Sequence, residues 1–392
     1  MQTQVLPYLR HLAASGIEVN LLTFEPDKRS SWSSEEVKEW NAELQADRIR
    51  WFSLPYHKRP SLPATLYDIS AGAWFILRLV YKHKISVLHA RAHIPMAIAL
   101  LVRRLTDCRL IFDIRGLMAD EYADAGRWKE GSLVFRTVKW LERTGIKKAD
   151  QIVVLTQRMR SWLIEQGLAD DKRIEVIPCC IDNSRFDDEE SVGQNISTDR
   201  FEIIYAGSVT GLYLLEEMAK FFLEVRALKP NAFLRILTTS PSKEVINRLQ
   251  QAGLHKNDFW VGSVDPDAVP RYLRQASLGL SFRKSTFSQI AASPAKIPEY
   301  LAAGLPVVCN SGIGDIDKLL ENEKVGVVVH QLDKTEYAMT AKEALKLMDE
   351  PHLGTRCKRV ANEHFDLIRI GGSRYFRLYQ RLVDEERKNG RR

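Results

Sequence analysis

No stretch of the 392-residue chain is long and apolar enough to anchor it in a bilayer. The longest candidate, Ala71 to Tyr81, is interrupted by Arg78, and a membrane span needs about 20 apolar residues. Cysteine is scarce: Cys108, Cys179, Cys180, Cys309 and Cys357 contain no CxxC pair, and adjacent cysteines rarely bridge. An odd count with no signal peptide points to a reducing, cytoplasmic compartment. Met1-Gln-Thr-Gln carries neither the basic nor the apolar region of a targeting peptide, so nothing is marked for removal. The dinucleotide fingerprint GxGxxG and the Walker pattern are both missing, and no His/Cys cluster has metal-ligand spacing, so no cofactor and no metal are expected. Internal repeats and low-complexity tracts are absent as well.

What is present is an ordinary globular composition. With 45% apolar and 27% charged residues, disorder, collagen and membrane classes are excluded, and the length suits two domains with a core each. Lys and Arg (57) outnumber Asp and Glu (50), for a net charge of +7. That favours anionic partners: phosphorylated metabolites, lipid headgroups or nucleic acid. Nucleic acid is disfavoured because the basic residues are interleaved with acidic ones.

Apolar runs of strand length alternate with helical patterns almost throughout, the signature of parallel sheets covered by helices. The chain opens on an amphipathic helix (Val5, Leu6, Leu9, Leu12, Ala13) closed by Gly16. The strands of the first half are read at Val19–Phe24, Ile49–Leu54, Ile85–His89, Leu110–Ile114, Ile152–Leu155 and Ile174–Ile177. Residues 183–200, polar, acid-rich and aperiodic, read as a connection. A second series follows at Phe201–Tyr205, Phe233–Leu237, Phe259–Gly262, Leu278–Phe282, Pro306–Cys309 and Gly326–Val329. The expected fold is α/β, two Rossmann-like doubly wound domains facing a cleft. Residues 1–182 form the first domain and 201–365 the second, and a basic helix over 366–392 crosses back to the first.

Ligands of open α/β sheets sit outside the carboxyl ends of the strands, so chemistry is sought in the loops that follow them. The densest such segment is Ser293-Pro294-Ala295-Lys296-Ile-Pro-Glu299, ending at Gly304. Ser293 suits a helix N-cap, Pro294 the first helical position and Gly304 the stop. Lys296 and the free N–H groups would then favour a diphosphate, with Glu299 placed to accept from ribose hydroxyls. A capped helix with no ligand has the same spacing. Pro298 is awkward in a helix begun at Pro294. Gly207-Ser208, after a strand, allows close backbone approach to a phosphate or simply makes a tight turn. Arg283-Lys284 adds positive charge near the same edge. In the first domain His89, Arg91 and His93 share a side if their strand continues, and Asp113, Arg115, Asp120 and Glu121 follow another strand. These residues can meet an acceptor or carry protons, or be satisfied packing groups. Asp315 is read as the cap of the next helix. The basic tail Arg387–Arg392 and Lys82-His83-Lys84 can touch acidic lipid or be solvated charge.

Together these pieces resemble the retaining, nucleotide-sugar-dependent group 1 (family 4-like) glycosyltransferases, which have the GT-B fold. The likeness is strongest from Phe201 to Val329 and closest to members of polysaccharide assembly. It implies a UDP- or GDP-sugar donor in the second domain, with Glu299 on the ribose and Ser293 to Lys296 near the diphosphate. It also implies a glycan or lipid-linked acceptor, contact with lipid at the inner face of the membrane, and a departing diphosphate stabilised by positive charge without a required metal. Asp113, Arg115 and His93 are the catalytic candidates it leaves. Two positions depart from the pattern. Ala291 stands where many relatives carry a sugar-contacting Glu, and Arg115 stands where a His is common. Relatives also begin with a strand and a glycine-rich loop, so the first domain is expected to lack its opening strand. That motivates an alternative: a catalytically silent, truncated relative that binds a nucleotide sugar.

Overall fold

The computed structural model describes residues 5–26, 34–57, 59, 61–186 and 200–388. The first half runs α1 (Leu6–Ala14), β1 (Val19–Pro26), α2 (Ser34–Ala46), β2 (Ile49–Tyr56), α3 (Ser61–His83), β3 (Val87–Arg91), α4 (His93–Arg103), β4 (Arg109–Asp113), α5 (Met118–Asp124), α6 (Leu133–Lys148), β5 (Gln151–Val154), α7 (Gln157–Glu165) and β6 (Ile174–Val176). The second half runs β7 (Phe201–Ala206), α8 (Leu215–Leu228), β8 (Ala232–Leu237), α9 (Ser242–Gln251), β9 (Phe259–Gly262), α10 (Val269–Gln275), β10 (Leu278–Ser281), α11 (Lys296–Ala302), β11 (Val307–Asn310), α12 (Ile316–Glu323), β12 (Gly326–Val329), α13 (Lys334–Met348), α14 (Leu353–Phe365) and α15 (Ser373–Lys388). Residues 1–4, most of the connection (187–199) and the end of the basic tail (389–392) lie outside the described residues.

Every strand pair inside these sheets is parallel. Leu110, Ile111 and Phe112 of β4 are fully buried, as expected of a strand covered on both faces. The second domain is one six-stranded sheet in the order β12-β11-β10-β7-β8-β9. The chain winds outward from β7 in one direction and from β10 in the other, so the crevice between their carboxyl ends is a topological switch point. Strands of the first domain divide between a β1-β2 pair and a β3-β4-β5-β6 sheet, with no hydrogen-bonded strand pair joining the two among the described residues.

One face of the β3–β6 sheet is covered by α3, α4, α6 and α7 through Val80, Met96, Val102, Ile146 and Met159. The other is covered by α1 and α15. Tyr8 and Leu12 join Tyr375, Leu378 and Leu382 over Ile111, Val153 and Ile177. Leu378 and Leu382 are fully buried, each contributing about 1.5–3 kcal/mol. A π-helical segment, Leu367–Gly372, brings the chain back from the second domain, so the first core is completed by the last helix.

Candidate functional site

At the switch point, β7 runs into Gly207, whose φ of +133° favours glycine. A Cβ here would meet Lys296 Cε and Nζ at 3.2 Å. Lys296 is buried. Its ammonium lies 4.3 Å from the centre of the Tyr205 ring and 4.1 Å from that of Tyr213, and donates to Tyr205 Oη at 3.1 Å. Burial, reinforced by the Arg283 charge, holds its pKa well below the lysine value; Glu299 only partly opposes this. The Arg283 guanidinium stacks over Tyr213 at 4.9 Å, and its Nε is buried without a hydrogen-bond partner. Antiparallel pairing of Tyr213 with Arg283, and the Arg283 N–H bond to Asn310 Oδ1 at 2.8 Å, fix this loop. One turn beyond Lys296, Glu299 has its pKa raised by burial against the pull of Arg185 and Lys296. Lys296, Arg283 and a carboxylate thus converge beside a glycine, with the Arg283 Nε donor left unpaired. That arrangement can neutralise a diphosphate and accept from hydroxyls.

The helix starts later than the spacing predicts. α11 begins at Lys296 with Ala295 as N-cap and no side-chain cap, so Ser293 and Pro294 precede it. Pro298 then falls in the first turn, where its missing N–H has no helical acceptor to lose. Ser293 instead accepts the Cys179 N–H of the first domain at 3.1 Å. Asp315 does not cap its own helix either. Its carboxylate accepts from Gln157 N (2.6 Å) and Arg158 N (3.1 Å), capping α7 across the cleft. Beside it, Arg158 Nη2 donates to both carboxylate oxygens of Asp317 (2.9 and 2.8 Å).

In the first domain Asp113 is fully buried at the end of β4. It accepts from Arg91 Nη1 and Tyr375 Oη, each at 2.8 Å, with His89 Nε2 and Arg115 Nη1 at 3.6 Å. Burial would raise its pKa, but Arg115, His89 and Arg91 hold it well below the usual carboxylate range. Arg115 donates to Cys179 Sγ at 3.1 Å. Arg115, Cys179 and Ser293 therefore link the two halves of the cleft.

His93 does not share the side of His89 and Arg91. The strand ends at Arg91, Ala92 turns at φ +75°, and His93 opens α4. Its buried ring sits 3.1 Å from Glu142, which Lys139 also bonds, together with Asp120. Glu121 packs against Gly116, where a Cβ would be 2.3 Å from its carboxylate. Burial raises its pKa while Arg283 and His93 lower it, so α5 faces the Arg283 loop. Lys284 Nζ donates to the Asp124 carbonyl at 3.2 Å. Sequence reasoning missed Tyr205, Tyr213, Tyr375, Arg158 and Asp317. Only Tyr375 left a trace, at helical spacing from Leu378 and Leu382. Among the described residues no group of three or more His, Cys, Asp or Glu is placed to hold a metal.

Two facing α/β domains, a switch-point site and a last helix returned to the first domain define the GT-B glycosyltransferase architecture. The chain belongs to the group 1 glycosyltransferases: residues 1–180 match the family described as glycosyl transferase 4-like domain and residues 186–363 that described as glycosyl transferases group 1. The activity of this class is sugar transfer from a nucleotide-sugar donor. Among solved structures, sucrose-phosphate synthase from Thermosynechococcus elongatus superposes with TM-score 0.73 at 16% identity, covering 96% of this chain and 92% of that one. A glycosyltransferase from Rickettsia africae gives 0.69 at 14%, covering 96% and 93%. Anabaena HepE in complex with UDP and glucose gives 0.65 at 14%, covering 95% of each chain. No curated protein matches at a significant level. Among the described residues no helix is long and apolar enough to cross a membrane.

Proposed function

We propose that the protein moves a glycosyl unit, with retention, from a UDP- or GDP-sugar to a glycan or lipid-linked acceptor at the cytoplasmic face of the membrane, in assembly of a cell-surface polysaccharide or glycolipid. The observation that carries this is the convergence of Lys296 and Arg283 beside Gly207, one helical turn from Glu299. In this reading the two cations and Lys284 stabilise charge on the departing diphosphate, so that no metal is required. Gly207 and Ser208 give the phosphates room, Ser293 to Lys296 border them, and Glu299 accepts from the ribose. Arg115, held beside Asp113, reaches towards a phosphate of donor or acceptor. Asp113 acts by positioning Arg91 and Arg115 and not as a proton carrier, because those charges keep it ionised. His93 orients α4 through Glu142 and is assigned no contact with substrate.

Calorimetric titration with UDP- and GDP-sugars tests the donor half of this reading. Glu299→Ala should weaken the preferred donor about 10- to 100-fold, the range of a lost charged hydrogen bond. Unchanged affinity would remove Glu299 from the site. The division of the first domain's strands into two sheets favours a second reading, a relative that binds donor without transferring sugar. Donor binding without transfer to any lipid or glycan acceptor in a product assay selects it.

A further inference from the structure

The outer surface of the first domain carries a face that the donor site does not use. α3, α4 and α6 pack side by side over one face of the β3–β6 sheet. α3 is 23 residues long, about 35 Å. Leu62, Leu66, Tyr67, Trp74 and Tyr81 all stand exposed on it, Trp74 at 60% and Tyr81 at 68%. Their spacing places them on one broad stripe. Tyr81 reaches the end of the α4 segment, where its hydroxyl donates to the carbonyl of exposed Leu105 at 2.9 Å. On α6, Leu133 (80%) and Trp140 (62%) are exposed, and Arg136, Arg143 and Lys147 share their face. Arg78, stacked on Trp74 at 4.6 Å, and Lys82 do the same on α3.

The charge on this layer is one-sided. The three helices hold two carboxylates, Asp68 and Glu142, and both are buried and paired, with His57 and with His93 and Lys139. The exposed surface of the layer is therefore aromatic and cationic, with no acid of its own helices to neutralise it. Soluble helices ordinarily turn such residues inward and display mixed charge.

We propose that the α3–α4–α6 face docks on an anionic phospholipid bilayer. Tyr and Trp have apolar bodies and polar tips that suit the headgroup boundary, and the Arg and Lys residues beside them meet lipid phosphates. A second copy of the chain fits poorly, because a two-fold contact through this face would bring one cationic patch, with Arg136, Arg143 and Lys147, against another. The inference rests on the lipid side of the proposed function, and it gives the transferase a fixed orientation towards a lipid-linked acceptor.

The test is flotation of the full chain with vesicles of phosphatidylglycerol and phosphatidylethanolamine against vesicles of phosphatidylcholine alone, with no donor present. Failure here thus leaves the donor reading standing, and failure of donor binding leaves this one standing. The wild type should float with the anionic vesicles and be released by salt. Trp74→Ser with Trp140→Ser, and separately Arg136→Glu with Arg143→Glu, should each lower partitioning about tenfold or more. Trp74→Phe with Trp140→Phe should keep most of it. Melting temperature and nucleotide-sugar affinity should be unchanged in all three. A wild type that ignores anionic vesicles, binding unaffected by both disruptive pairs, or a solution dimer lost with the same substitutions overturns the proposal.

Discussion

Lys296→Met should make the unliganded protein more stable while destroying donor binding. Lys296 is buried between two tyrosine rings with Arg283 nearby, and its pKa is held well below the ordinary 10.5 by burial first and by Arg283 second. Desolvating an ammonium costs several kcal/mol, and the paired aromatic faces return about 2 kcal/mol. Methionine has similar bulk and removes both terms, and Tyr205 keeps its own hydrogen bond to the Ser208 carbonyl. The expected net gain is about 1–2 kcal/mol at pH 7, a rise of about 2–8 °C for a domain of this size. Its pH dependence has a definite sign. The folded lysine binds its proton less tightly than the unfolded one, so the wild-type penalty is full below the folded pKa, shrinks as pH rises, and is lost above the ordinary 10.5. The advantage of Lys296→Met must therefore narrow steadily towards pH 10.5. Differential scanning calorimetry from pH 7 to 10.5, with parallel titration of UDP- and GDP-sugars, measures both halves. A destabilised variant at pH 7, or an advantage that grows with pH, refutes the reasoning.

Asp317→Ala removes the carboxylate that accepts from Arg158 Nη2 across the cleft, a pair only partly shielded from solvent. It should cost about 2 kcal/mol and enlarge the radius of gyration in solution scattering; an unchanged melting point and radius would show that the pair does not hold the domains together. Asp113→Asn leaves the partly buried Arg91 and Arg115 without their common anion and should destabilise by about 2–3 kcal/mol. Because the folded pKa of Asp113 is depressed, its stabilisation is complete above the ordinary 3.8 and disappears as pH falls through the folded value. The gap between the two proteins in acid unfolding should close on that side and on no other. Gly207→Ala, at φ +133° with Lys296 3.2 Å from the new methyl, should cost about 1 kcal/mol or more and weaken donor binding in calorimetry. Equal affinity would separate this turn from the site.

The twelve strands read from the sequence are all present, because parallel strands covered on both faces must be nearly continuous apolar runs. α2 escaped notice. Its segment SEEVKEWNAELQA carries only Val37, Trp40 and Leu44 as large apolar residues, enough for one narrow stripe. The loop proposed here for the donor can be picked out in the sequence through Gly207, Lys296 and Glu299, whose types and order need no knowledge of their neighbours. The caps were not. Ser293 and Asp315 have the chemistry of local caps, and nothing in the local pattern shows that each serves a backbone N–H of the other domain. The direction of His93 hinged on its strand continuing, and a single positive φ at Ala92 ends that alternation.

The sequence by itself determined the periods, the two-domain division, the strand-end loops and the surplus of positive charge. Those are local or additive properties. Tertiary structure alone decided that Lys296 would lie between two tyrosines, that Asp113 would be charged in a dry core completed by Tyr375 of the last helix, and that α3 and α6 would turn tryptophans outwards. Burial and partner charge set protonation and exposure, and both depend on residues 91 to 262 positions away in the chain, which no local pattern encodes.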